Sequence, residues 1–483
     1  LEGLRFIVRV LFVVKQVDYE PLGLMLLSSV LKGAGHEVGL AIASQEDPVE
    51  VAETFKPDIL GYNVLTGSQR YYLDLNRRIR RRVRAFSVFG GAHPTFFPEM
   101  IETEEADGLD GICVGEGEGA LLDLADALAG SRSHLDIPNW WFRVDGEIVR
   151  NPVRPLVQDL DSLPDLDHRL VYSKHAPTAQ SKIKHFLYSR GCPYNCSYCF
   201  NHAYTKIYDR WGHIRHLSVD RLIVAMRIVQ TSYPLEHAVF VDDLFGVKDE
   251  WLEEFVRRYP GEVGVPFFCN TRVNVVTEER MRLLRQAGCV CVSLGIETGN
   301  DEIREGLLNR KMGRAQIVKA CDTIHDAGLN LTTTNMIGLP GCSLENDFET
   351  VALNAQLRPS YAHAMLFQPY PRTELGEYAR KQGYMEGTFD DIFSSATDGT
   401  VLRFSSPAEK KQTENLQRFF AIAIEWPWLT PLIRQLIKLP KNGLFWLAYK
   451  LWKGYAIKSR VHPVRFTLRD YIQAVRHYMR FDT

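Results

Sequence analysis

Two long stretches of this 483-residue chain alternate short apolar runs with amphipathic helical patterns, and that rhythm limits what the chain can fold into. Strand-length runs separated by helix-length patterns read as βαβ units, which pack as a parallel sheet covered by helices. In the first stretch FIVRVLFVV (6–14), EVGLAIA (37–43), DILGYNVLTG (58–67), FSVFGGAHPT (86–95) and the short run GICV (111–114) are strand candidates. PLGLMLLSSVLKGAGH (21–36), DPVEVAETFKP (47–57), QRYYLDLNRRIRRRV (69–83) and the run after GEGEG read as helices. The rhythm lapses over residues 131–180, where RVDGEIVRNP predicts a hairpin and DLDSLPDLDHRLVY a polar linker. It resumes near residue 183. IKHFLYSR, HAVFVDD, VPFFCNTRVN, CVCVSLGIE, LNLTTTNMIGLP and AHAMLFQPYP then give six strands separated mostly by helices, which predicts a partial (β/α)6 barrel. From about residue 405 the pattern is helical and rich in aromatics. The expected division is an α/β domain over 1–135, a linker over 136–180, the partial barrel over 181–385 and a mostly helical region over 386–483.

Composition adds exclusions. The formal net charge of −2 makes no case for wholesale nucleic-acid binding. No run of about 18 uncharged apolar residues predicts a membrane-spanning helix. LEGLRFIVRVLFVVK reads as a first strand rather than a signal peptide. Nine cysteines, at 113, 192, 196, 199, 269, 289, 291, 321 and 342, make an odd set that suits a disulfide framework poorly. Three of them crowd into SRGCPYNCSYCFN, which predicts a metal site in a reducing, cytoplasmic compartment.

Cys192, Cys196 and Cys199 follow the first strand of the barrel, so their loop is expected at the strands' C-terminal end, where such barrels place active sites. Three thiolates on one tight loop suit a soft metal centre. A 4Fe–4S cluster held by three cysteines keeps one iron open for a ligand. Zinc would want a fourth ligand, which His202 is close enough in sequence to supply. Ordinary buried thiols are the third reading.

The Cx3CxΦC spacing, with Tyr198 before the last cysteine, resembles the radical S-adenosylmethionine (SAM) superfamily. The resemblance implies a 4Fe–4S cluster whose open iron takes the methionine end of SAM. Reductive cleavage, fed by a donor such as flavodoxin or ferredoxin, then gives a 5′-deoxyadenosyl radical. VFVDDLF (239–245), NTRVN (270–274), GIETGND (295–301), MIGLPG (336–341) and FQPYPRTELGEYA (367–379) resemble the next strand ends of its cobalamin-binding branch, with Arg372 where glycine is more usual. That departure is expected to reshape the pocket floor. By the same resemblance Tyr198, Gly338 and Leu339 flank adenine, while Asp242, Arg272, Glu297 and Gln368 contact the rest of SAM. The plain alternatives are a helix cap for Asp242, turn glycines at 338 and 341, and an arginine partner for Glu297.

Three loops of the first domain carry ligand-binding chemistry on a flavodoxin-like pattern: Thr66 and Gly67 in VLTGSQ; Gly90, Gly91, His93 and Thr95 in GGAHPT; and Gly115, Glu116 and Gly117 in VGEGEG. They resemble the Rossmann-type cobalamin-binding domain that precedes many radical SAM barrels. The Asp-x-His-x-x-Gly motif that supplies a lower-face histidine to cobalt is absent, so His93 is a candidate contact and not a cobalt ligand. Only Cys113 lies before residue 150, which argues against a second cluster. A vestigial sheet that binds nothing is the plain alternative.

Residues 426–455 mix tryptophan and leucine with lysine, which suits a helix packed on the barrel, a cover for a greasy substrate or a peripheral membrane contact. The leading expectation is a cobalamin-dependent radical methylase that acts on an unactivated carbon of a small molecule, large and apolar if the C-terminal region covers it. A non-methylating cyclase or oxidoreductase with the same cofactors is the second reading. A cobalamin- or metal-binding sensor is the third.

Overall fold

The computed structural model describes residues 6–208 and 214–464. They belong to two compact units, Leu1–Gln180 with Ala203–Trp211, and Ser181–His202 with Gly212–Thr483.

In the first unit the strands Arg9–Val14, Glu37–Ile42, Ile59–Asn63, Phe86–Gly90 and Gly111–Cys113 are parallel and lie in the spatial order 2-1-3-4-5. This is the flavodoxin-type order, in which sheet growth reverses beside the first strand. Helices cover both faces, so the strands are apolar nearly throughout, and Leu11, Val13, Leu60, Tyr62, Phe89 and Ile112 share one core. The hairpin Trp140–Val144/Glu147–Arg150 forms at the predicted turn and joins the edge of the fifth strand antiparallel. Trp140 and Phe142 are buried there, and the Trp140 indole donates to the Ala120 carbonyl. The sheet therefore runs on past residue 135, because the segment expected as a linker carries two aromatics that need a core.

The second unit is a six-stranded all-parallel sheet: Ile183–Phe186, His237–Phe240, Phe267–Thr271, Cys289–Glu297, Asn330–Ile337 and Tyr361–Leu366, each paired with the next in sequence. Helices Val219–Ser232, Asp249–Glu262, Glu278–Ala287, Arg314–Asp326 and Leu344–Leu357 supply the crossovers. Ser218 and Thr277 cap two of them by accepting from the Arg221 and Arg280 backbone N–H. Phe240, Phe255, Phe267, Leu294 and Ile324 anchor the core. Parallel pairing in one sequential sweep brings every strand's C-terminal loop to one end, as in a partial barrel.

Past the barrel, helix Pro407–Glu425 packs Leu416, Phe419 and Phe420 on Ile337, Ala364 and Leu366, and Ile433, Ile437 and Phe445 join that cluster. Among the described residues no helix is long and apolar enough to cross a membrane.

Candidate active site

The cysteine loop leaves the first barrel strand between two short strand pieces, Ser189–Arg190 and Arg215–His216, which pair antiparallel and fix its two ends. Its middle is pinned from the fourth crossover. The Ser197 hydroxyl donates to the Leu307 carbonyl (2.6 Å), and Asn309 Nδ2 donates to the Asn195 carbonyl (3.0 Å). Cys196 is buried, while Cys192 and Cys199 are partly exposed. Arg272 Nη1 approaches Cys196 Sγ at 3.1 Å, and the guanidinium lies 3.9 Å over the Tyr194 ring. Arg310 Nη1 lies 3.7 Å from the same sulfur, and Asn201 Nδ2 lies 3.8 Å from Cys199 Sγ. Burial pushes the Cys192 thiol up to about 12 and the Cys199 thiol up to about 11. These thiols thus lack a local charge strong enough to ionise them, which is what a bound cationic metal centre supplies.

His202, the candidate fourth zinc ligand, is engaged elsewhere: its Nε2 lies 2.9 Å from Glu374 Oε1. Among the described residues no three His, Cys, Asp or Glu side chains form a group that could hold a single metal ion. A 4Fe–4S cluster asks for a different arrangement, with each thiolate on its own iron.

Beside the cysteines lies a buried polar triad. Glu297 ends the fourth barrel strand at a register shift and adopts φ +68°, a left-handed backbone that is uncommon for a non-glycine residue. Its Oε1 accepts from the Tyr198 hydroxyl (3.0 Å) and lies 3.8 Å from Arg310 Nη1. Arg310 also donates to the Tyr198 oxygen (2.8 Å) and to the Gly295 carbonyl. Burial pushes the Glu297 carboxyl above its ordinary range, and Arg310 opposes it. Burial also works against the Arg310 charge, but Tyr198 and Glu297 outweigh it and raise its pKa. Glu297 thus has the arginine partner that its plain reading called for. The sequence did not identify that arginine, because Arg310 lies in an irregular segment with no periodic signal.

The other expected residues separate by role. Asp242 is fully buried, and its Oδ1 accepts from the Tyr188 and Ser189 backbone N–H and from the Ser189 hydroxyl. It therefore ties the second barrel strand's end to the chain that leads into Cys192. Burial pushes it up to about 7. Gly338 has φ +66°, and its N–H donates to Asp347 (3.0 Å). Leu339 belongs to an apolar cluster with Leu308, Met336 and Phe367, against which Tyr198 packs. Gln368 is buried, with its Nε2 on the Gly399 carbonyl and no hydrogen-bond partner for Oε1 among the described residues. Arg372 adopts φ +63° with an exposed side chain, which explains why glycine suits the position. Its backbone turn is the observed consequence of the departure from glycine.

In the first unit the three expected loops lie at the ends of the third, fourth and fifth strands. Gly67, Gly91 and Gly115 all have positive φ. A Cβ on Gly91 would lie 2.3 Å from Asn63 Oδ1 and 3.0 Å from the Val64 backbone. The Thr95 hydroxyl donates to the Gly91 carbonyl and accepts from the Gly115 N–H, tying two of the loops together. His93 is fully buried with Nδ1 3.1 Å from Thr66 Oγ1, so it supports the Thr66 loop from beneath. Gly90 ends the fourth strand, Glu116 accepts from the Val157 N–H, and Gly117 opens helix Glu118–Ala129. Tyr208, which the sequence did not single out, accepts from the Glu116 N–H (3.1 Å), and its hydroxyl occupies the space a Gly115 side chain would need.

Comparison with known proteins identifies two domains. The radical SAM superfamily model matches residues 186–352, and the B12 binding domain model matches residues 8–125. The chain carries a radical SAM domain and, before it, a B12 binding domain. It is an enzyme whose cofactors are a 4Fe–4S cluster, SAM and cobalamin. An uncharacterized methyltransferase of Pyrococcus horikoshii is 29% identical over 368 residues, covering 74% of this chain and 78% of that protein. An anaerobic magnesium-protoporphyrin IX monomethyl ester cyclase of Rubrivivax gelatinosus is 26% identical over 380 residues, covering 74% of this chain and 66% of that protein. The structure of a radical SAM methyltransferase from Kitasatospora setae has the same fold, with a TM-score of 0.68, 18% identity, and coverage of 94% of this chain and 99% of that one.

Proposed function

We propose that this enzyme methylates an unactivated carbon of a small-molecule substrate, using SAM both as methyl source and as radical source. The observation that carries the reading is the cysteine loop at the barrel's C-terminal end, with two arginines directed at Cys196, in a chain that also bears three glycine loops on a flavodoxin-type sheet.

The residues fit the cofactors. Cys192, Cys196 and Cys199 would hold the cluster as three thiolates. Arg272 and Arg310 donate to Cys196 Sγ and stabilise negative charge on the sulfur. Tyr198 and Leu339 offer an apolar wall for adenine. Glu297 and the Gln368 Oε1 accept from hydroxyl or amino groups of SAM, and Arg310 fixes the Glu297 carboxylate. Asp242 positions the cysteine loop from within. Thr66, Gly67, Gly90, Gly91, Thr95, Gly115, Glu116 and Gly117 present close-approach backbone and N–H groups to cobalamin, with His93 bracing Thr66. When bound and reduced by one electron from its donor, the cluster would supply the chemistry that cleaves SAM to a 5′-deoxyadenosyl radical, and cobalamin would supply methyl transfer. The protein's part is to hold both and exclude water.

Anaerobic reconstitution with iron, sulfide and cobalamin tests this. Equal amounts of S-adenosylhomocysteine and 5′-deoxyadenosine, with methylated product, are expected. 5′-Deoxyadenosine without S-adenosylhomocysteine identifies the cyclase or oxidoreductase reading, which the likeness to the magnesium-protoporphyrin cyclase favours. A reduced, fully loaded protein that never cleaves SAM identifies a sensor. The reading includes a one-electron donor of flavodoxin or ferredoxin type, no nucleic-acid partner and a cytoplasmic location, with the C-terminal region either covering a large apolar substrate or making a peripheral membrane contact.

A further inference from the structure

The segment between Glu297 and Arg310 has an unusual backbone. Ile303–Leu307 forms a π-helical turn, a rare geometry, and Asn309 adopts φ +50°. What holds it is Arg304, whose side chain is fully buried. Its Nη1 donates to the Thr298 carbonyl (2.9 Å) and its Nε to the Met312 carbonyl (2.9 Å). Its Nη2 meets the half-exposed Asp301 carboxylate. Thr298 follows Glu297, and Met312 lies two residues past Arg310, so one guanidinium ties the two ends of the segment together. The backbone adds to the tie, because the Arg310 N–H donates to the Arg304 carbonyl (2.9 Å).

The residues gathered by this tie reach the cysteine loop. Arg310 Nη1 approaches Cys196 Sγ and the Tyr198 hydroxyl. The Leu307 and Leu308 carbonyls accept from the Ser197 hydroxyl and N–H, and Asn309 Nδ2 donates to the Asn195 carbonyl. Arg304 itself spends its donors on the two carbonyls and Asp301, so it acts on the loop only through these neighbours. Burying an arginine is costly, and a buried ion pair is weak evidence for stability. What the planar fork supplies is geometry: two donors aimed at two carbonyls with a fixed separation. The geometry fixed here is the reach of Arg310 towards a cluster ligand. Hydrogen bonds to ligand sulfurs help to set how readily an iron–sulfur cluster accepts an electron.

We propose that Arg304 is a positioning residue for cluster reduction: by closing the segment 298–312 it sets the approach of Arg310 to Cys196 Sγ, and so raises the cluster's reduction potential. This rests on the proposed placement of the cluster on Cys192, Cys196 and Cys199, and not on the reaction that follows. The test is a redox titration of anaerobically reconstituted full-length protein, without SAM or substrate, read by electron paramagnetic resonance of the reduced cluster. Arg304→Met and Arg304→Lys should each lower the midpoint by about tenfold in the redox equilibrium, about 59 mV for one electron. Lysine keeps the charge but cannot span both carbonyls, so its failure to rescue separates position from charge. Arg310→Met should lower the midpoint likewise, and adding Arg304→Met to it should lower it no further. Iron content and circular dichroism check that each variant is loaded and folded. If Arg304→Met loses its cluster, Arg304→Lys with and without Arg310→Met carries the same comparison. A wild-type midpoint in either Arg304 variant overturns the proposal, as does a further fall in the double variant. Wild-type protein that assembles no 4Fe–4S cluster overturns the cofactor placement instead.

Discussion

Arg310 reaches a thiol, a phenol and a carboxylate from one buried position, and the three depend on it unequally. Glu297 depends on it most, because its carboxyl already sits above its ordinary range through burial. Removing the cation leaves a buried acid unpaired, a change that typically costs about 3–5 kcal/mol. Arg310→Met is therefore expected to lose several kcal/mol in chemical denaturation, and adding Glu297→Gln should recover part of it; a strictly additive double variant would show the pair uncoupled. A second buried acid gives a pH signature. Asp347 accepts from the Gly338 N–H, and burial pushes it up to about 7 from an ordinary 3.8. The folded state then binds more protons than the unfolded state between those values, so stability falls as pH rises from about 4 through 7. Asp347→Asn keeps an acceptor for Gly338 and should flatten that slope by up to about 1.4 kcal/mol per pH unit. Superimposable stability profiles from pH 5 to 8 would remove Asp347 as the cause.

The elements proposed to carry the cofactors are the loops after strands, and they were the most legible parts of the sequence. Cysteine spacing is a local code, and the apolar runs of the six barrel strands were long enough to stand out. The hairpin was legible too, but its membership of the first sheet was not, because pairing with Gly111–Cys113 is a long-range event. Likewise His93 could be read as a loop histidine but not as one buried beneath Thr66, since burial depends on what packs over it. The loop at Gly91 permits a direct test. Its φ of +97° and its approach to Asn63 and Val64 leave no room for a methyl group. Gly91→Ala should cost about 1–3 kcal/mol and distort the loop that Thr95 ties to Gly115. Cobalamin retained after gel filtration, read from its visible absorbance, should fall at least about tenfold, with iron content unchanged. Wild-type retention would exclude this loop from the cobalamin site.

At the scale of the molecule, the residues proposed for each cofactor fall within one compact unit. The cysteines, Arg272, Glu297 and Arg310 belong to the second unit, and the three glycine loops and Tyr208 belong to the first. Each unit has its own sheet and core, so loading one site does not require the other to be full. Two preparations separate them. Protein grown without cobalamin and reconstituted with iron and sulfide should hold its cluster and, once reduced, cleave SAM to 5′-deoxyadenosine while forming no S-adenosylhomocysteine. Cys196→Ala should do the opposite, retaining cobalamin absorbance while losing the cluster and all 5′-deoxyadenosine. The methyl route and the radical route would then be chemically distinct and joined only on the substrate. If cobalamin-free protein fails to assemble a cluster, the two sites are coupled during assembly, and the independence argued from their separate cores is wrong.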